Sequence, residues 1–201
     1  MNSQLKLQCT CGGVQAVIDP HDLSQTCRVI CHCRWCQQYA HFLNRQGDML
    51  DQRGGSDVFQ ISPARLRITQ GVDKLAWVQQ LPKRGSVRWY ADCCKTPLAN
   101  TLPQPTRPFI AISRLMVQSV NDGPLDELIG PVYAQVNHKI PRAEAKALRG
   151  NVGALFGMLR HYAPLFFRWW WRGDGKRSPF VDSNGELLPA TNRKSEPPMS
   201  A

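Results

Sequence analysis

Eight cysteines fall in a pattern that an ordinary core does not require: Cys9 and Cys11, then Cys27, then Cys31, Cys33 and Cys36, then adjacent Cys93 and Cys94. The run Cys31-His32-Cys33-Arg34-Trp35-Cys36 brings three thiols within reach of one tetrahedral ion, at about 2.3 Å per zinc–sulfur bond. Three buried cysteines acting as small apolar residues are the competing explanation, but structural free cysteines do not usually crowd into so short a stretch. A second group combines Cys9-Thr10-Cys11-Gly12-Gly13 with Cys93-Cys94, the pairing expected of a structural zinc that joins two hairpins. Adjacent cysteines can share one ion only where the backbone is locally distorted, so Cys94 is a stronger ligand candidate than Cys93, for which Asp92 or a water could substitute. Cys27 is read first as a core thiol, then as a fourth ligand beside Cys31, and last as a nucleophile.

At 201 residues the chain can bury an adequate core without disulfides. Asn2, Ser3, Gln4 and Lys6 stand where a signal peptide would be apolar, so a reducing cytoplasmic location is expected, where cysteines serve as ligands or reactive thiols. The formal charge of +10 would fall to about +7 if seven thiolates held two zinc ions. That balance suits anionic small molecules. No basic run interleaved with aromatics surrounds Arg28 and Arg34, so nucleic acid is not an expected partner.

Short strands separated by turn residues are expected over Leu5 to Cys9, Val14 to Ile18, Val58 to Ile61, Arg65 to Thr69, Leu75 to Gln79, Val87 to Tyr90 and Phe109 to Ile112. Cys11-Gly12-Gly13 reads as a tight turn whose glycines let backbone amides approach a sulfur. The glycine- and charge-rich stretch from Asp48 to Asp57 reads as a mobile loop. From Pro141 onward, Ala147, Leu148, Val152, Leu155, Phe156 and Leu159 recur at helical spacing, and Pro164 should end or kink that helix. The stretch Leu165 to Arg172, with Trp169, Trp170 and Trp171, is too short and too charged to span a bilayer. Packing on the β region, an oligomer contact and a membrane-surface foot are its readings, in that order. The expected organisation is a zinc-binding β domain over 1–122, a helical, aromatic extension over 123–191, and a disordered tail over 192–201.

The motifs Cys9-Thr10-Cys11-Gly12-Gly13, Cys31-His32-Cys33-Arg34-Trp35-Cys36 and Trp89-Tyr90-Ala91-Asp92-Cys93-Cys94-Lys95-Thr96-Pro97-Leu98, in that order, resemble the glutathione-dependent formaldehyde-activating enzyme family, which also includes centromere protein V. The resemblance covers roughly residues 5 to 120. It implies a mainly β fold, the β-tent, with two zinc ions: a structural one at Cys9, Cys11 and Cys94, and a reactive one at Cys31, Cys33 and Cys36 with an open position. It further implies carbon–sulfur chemistry on thiol adducts of the glutathione–formaldehyde type. The chain departs from the family's closing F-C-x-x-C-G motif, since Ala91 stands at the first cysteine position, and Cys93 could rebuild that site.

Weaker candidates are His32, expected to turn away from the metal, and His41, Arg34 and Arg45, which could attract a carboxylate-bearing thiol such as glutathione or simply face solvent. The expected function is a zinc-dependent carbon–sulfur lyase; the alternative is a non-catalytic zinc module serving as an interaction domain.

Overall fold

The computed structural model describes residues 3–79, 85–104, 106–117, 123–136 and 149–188. Alternation organises its first strands. In β1 (Ser3–Gln8) Leu5 and Leu7 point inward and Lys6 outward, and in β2 (Gln15–His21) Ala16 and Ile18 are buried between less buried neighbours. With β5 (Leu66–Gln70), these strands make a small antiparallel sheet in the order β1-β2-β5.

A larger sheet is built from β3 (Cys27–Cys31), β4 (Ser56–Ile61), β6 (Leu75–Gln79), β7 (Val87–Ala91), β8 (Thr96–Thr101), β9 (Ile110–Ser113) and β10 (Val132–Val136). Its order is β10-β3-β4-β9-β8-β7-β6, antiparallel throughout except for the parallel β10–β3 pair. The chain is therefore mainly β.

One face of the larger sheet, carrying Phe59, Trp89, Leu98 and Ile112, meets Leu5, Leu7, Ile18 and Leu66 of the smaller sheet in a shared core. Phe180 stacks on Trp89 with ring centroids 4.4 Å apart, so the C-terminal segment helps close that core. The opposite face is covered by two helices. Helix α1 (Arg34–Phe42) sets Tyr39 and Ala40 against Ala76, Val78 and Tyr90. Helix α4 (Arg149–Trp171) sets Met158 and Tyr162 against Cys27, Val29, Val58 and Ala111. With both faces covered, all five residues of β7 are buried. Two short α-helices, α2 (Gln46–Met49) and α3 (Leu125–Ile129), and several single 3-10 turns lie between the strands or follow α4.

The start of the expected helix at Pro141, and the tail over 192–201, lie outside the described residues. Helix α4 runs through Pro164 to Trp171 instead of ending there. A proline inside a helix forfeits one backbone hydrogen bond, and here packed residues on either side, Tyr162 and Trp169, hold the helix together across that loss. The Asp48–Asp57 stretch is pinned and not loose. The Asp51 carboxylate accepts from the amides of Arg53 and Gly55, both at 2.8 Å, and Leu50 bridges to Ser56.

Candidate metal centres

The first cysteine group is assembled by two turns. Cys9 directly follows β1, and the chain reverses through Gly12, which takes the positive φ of 74° that suits glycine, with its amide donating to the Cys9 carbonyl at 2.9 Å. Across the core, β7 turns into β8 through Asp92-Cys93-Cys94-Lys95. Lys95 there adopts φ 56°, rare for a side-chain-bearing residue, and donates its amide to the Ala91 carbonyl at 2.8 Å. This is the local distortion that two adjacent cysteines need in order to face one point. The two turns are tied by Thr10 and Thr96, whose hydroxyls lie 2.9 Å apart, while the Thr10 amide donates to the Thr96 hydroxyl at 3.1 Å.

Cys9, Cys11, Cys93 and Cys94 thereby converge, all four sulfurs lying within 4.8 Å of one another. The separations are 3.6 Å for Cys9–Cys11, 3.3 Å for Cys11–Cys93 and 3.9 Å for Cys93–Cys94. Four thiolates at the corners of a tetrahedron around zinc would be about 3.8 Å apart, so the set fits such an ion. Two further features agree. The Val14 amide points at the Cys9 sulfur at 3.2 Å, and a Cβ on Gly13 would sit 3.2 Å from the Cys93 sulfur and 3.3 Å from that of Cys11. The backbone at Gly13 is therefore pressed against the sulfurs in a way a larger residue would obstruct. Burial raises the Cys9 and Cys93 thiols above their ordinary pKa; burial acts the same way on Cys94, but hydrogen bonds from Thr10, Thr96 and the backbone outweigh it and bring that thiol down.

The second group comes from one stretch. Cys31 ends β3, Cys33 is the N-cap of α1 and Cys36 lies in its first turn, with the Cys36 amide donating to the Cys33 sulfur at 3.4 Å. Their sulfurs also lie within 4.8 Å of one another. The helix N-terminus favours negative charge there. The Cys33 thiol is held well below its ordinary pKa by hydrogen bonds from Cys31 and Cys36, then by the Cys36 amide and the Arg88 guanidinium, against the opposing effect of burial. Cys36 is pushed up by the same pairings with Cys31 and Cys33 and by burial. Three sulfurs packed beside a helix N-terminus form a donor set that a cation would bind as thiolates.

Arg88 belongs to the site although no motif spacing marks it. It is buried on β7, reaches the Cys36 sulfur at 3.7 Å and Asn100 at 3.2 Å, and lies 5.2 Å from the centre of the Tyr39 ring. The signal that could have found it is a cation inside the otherwise apolar run Val87-Trp89-Tyr90-Ala91. His32 is buried, with its ring nitrogens 3.3 Å from the Arg53 carbonyl oxygen and 3.3 Å from Gln135 Oε1. Arg34 lies over the Trp35 ring, Arg45 pairs with Asp48 at 2.8 Å, and His41 is exposed. Cys27 is not brought into either group. It begins β3, about 13 Å along an extended strand from Cys31, and is fully buried beside Val29 and Val58, where burial pushes its thiol up to about 12.

The fold and these side chains define a mainly β chain with a C-terminal helix and two cysteine groups, each able to hold a metal ion. The chain belongs to the family DUF6151, a family of unknown function, whose model matches residues 1–156. No curated protein matches. Among solved structures it is similar to a crystal structure of a Rhodobacter sphaeroides protein, at 18% identity, covering 63% of this chain and 96% of that one, with a TM-score of 0.41. Among the described residues, no helix is long and apolar enough to cross a membrane.

Proposed function

We propose that this chain is a two-zinc protein of the β-tent kind, similar to the glutathione-dependent formaldehyde-activating enzymes, that acts on small thiol adducts. The carrying observation is the difference in donor number: four thiols in the first group, three in the second. Four sulfurs complete a tetrahedral shell and suit a structural ion, whereas three leave one position for a ligand from outside. Held by Cys31, Cys33 and Cys36, zinc would bind a thiolate or polarise an oxygen at that position.

The protein's own residues supply the setting. The N-terminus of α1 and the Arg88 guanidinium place positive charge beside Cys33 and Cys36, which favours thiolate over thiol. Gln37 donates to the carbonyls of Gly54 at 3.2 Å and His32 at 3.4 Å, fixing the pinned loop against the start of α1. The reaction class is reversible cleavage of an S-hydroxymethyl thiol: the carbon–sulfur bond breaks, the hydroxyl proton ends on sulfur, and thiol and formaldehyde are released. Glutathione, with its carboxylates, suits the basic balance of the chain.

Cobalt-substituted protein titrated with glutathione tests this reading. The visible bands should shift in the parent protein and stay fixed in a Cys31→Ser/Cys33→Ser/Cys36→Ser variant; an unchanged spectrum of the parent at saturating thiol would count against an open position. A second reading, a non-catalytic zinc module that docks a partner, is favoured by one observation: Phe167, Trp170 and Trp171 of α4 are exposed although α4 packs on the sheet.

A further inference from the structure

Helix α4 carries apolar residues on two faces, and the sheet covers one. On the covered side Met158 and Tyr162 join the Cys27–Val29–Val58 cluster, Trp169 is fully buried, and His161 stacks on Tyr133 at 4.5 Å and meets the Thr26 carbonyl at 2.7 Å. On the other side Phe156, Leu159, Phe167, Trp170 and Trp171 are exposed, Phe156 by 69% and Trp171 by 77%. Positions 156, 159, 163, 167, 170 and 171 follow helical spacing, so these residues form one stripe about 22 Å long. A helix apolar all round normally has every side covered.

The exposed charges on α4 and the turn after it have one sign, and Arg160, four residues from Phe156 and seven from Phe167, lies on the stripe itself. Arg160, Arg168, Arg172, Lys176 and Arg177 are exposed. Asp174, the acidic residue within 149–177, is buried, accepting from the Ser62 hydroxyl at 2.6 Å and pairing with Arg177. Arg107 lines a cleft of about 220 Å³ together with Phe166, Phe167 and Trp170, so a cation sits against the aromatic end of the stripe.

We propose that this face of α4 docks in the plane of an anionic phospholipid surface. Tryptophan and phenylalanine settle at the boundary of headgroups and acyl chains, and arginine and lysine meet lipid phosphates just above them. Charge decides between occupants. A second copy laid on the same stripe would set Arg160 and Arg168 against their own counterparts, with no exposed acid in 153–177 to pair with them. Single-stranded nucleic acid would match the charge, but Leu159 and Ala163 interrupt the ring platform that stacked bases use. Insertion across the bilayer is opposed by the covered face, which is already packed against β10 and β3.

The test is flotation of the full-length protein with phosphatidylcholine vesicles, with and without phosphatidylglycerol. Binding should require the anionic lipid and weaken with salt. Phe167→Ser/Trp170→Ser/Trp171→Ser should lower partitioning by roughly a hundredfold, with metal content and thermal midpoint unchanged. Arg160→Glu/Lys176→Glu should lower it by about tenfold, and it provides an independent reading if the triple variant misfolds. Absence of vesicle binding, or binding that neither variant alters, would overturn the proposal. So would a parent dimer that the triple variant dissociates, or oligonucleotide binding lost in these variants when vesicles are not bound.

Discussion

The four-thiol group joins turns about eighty residues apart in the chain, whereas the three-thiol group is supplied by six consecutive residues at the junction of β3 and α1. The first therefore closes a long loop, and whatever holds it constrains how the β1–β2 hairpin meets the β7–β8 hairpin. The second needs only a local turn and a helix N-terminus, so the fold depends on it less and its donors are freer to serve chemistry. Their surroundings follow this division. Threonine hydroxyls and a glycine backbone crowd the first group, while a buried guanidinium and the end of a helix face the second.

The largest effect that would sharpen this contrast comes from removing ligands. Cys9→Ser/Cys94→Ser should abolish cooperative thermal unfolding or lower the midpoint by more than about 10 °C. Cys31→Ser/Cys33→Ser should leave a cooperative transition lowered by only a few degrees; equal losses in the two variants would erase the distinction. Arg88→Met comes next. Losing the bonds to Asn100 and Cys36 should cost about 1–3 kcal/mol in urea denaturation, and a graded chelator should strip the second group's metal earlier than in the parent while the first group's release is unchanged. Thr96→Val is the smallest. It removes the hydroxyl 3.1 Å from the Cys94 sulfur and 2.9 Å from Thr10, and should cost about 1 kcal/mol while hastening metal release from the first group alone.

Much of this arrangement is legible in the sequence, because thiol spacing and strand alternation are local signals. The strands from Leu5, Val14, Val58, Arg65, Leu75, Val87 and Phe109 emerge close to the expected places. The strand β8 is hidden by Pro97, which pairs with Tyr90 beside a register shift, where a proline can be accommodated. The strand β3 is hidden because its last residue belongs to the cysteine cluster, and β10 because a short run after Gly130-Pro131 gains meaning only from pairing with β3 about a hundred residues away. Helix α1 is equally silent, since its capping residue, Cys33, carries the spacing of a metal ligand and is not one of the residue types that announce a helix start. Convergence of Cys93 with Cys94 depended on the positive φ at Lys95, a backbone feature that side-chain identity does not announce.

The central claim is that two separate metals are held by donor sets of different size. Elemental analysis of untagged protein purified without chelator, in parallel with the Cys31→Ser/Cys33→Ser/Cys36→Ser variant, tests it most directly. The account predicts two zinc ions per chain in the parent and one in the variant. One zinc in both would leave the three-thiol group without a metal and contradict the account.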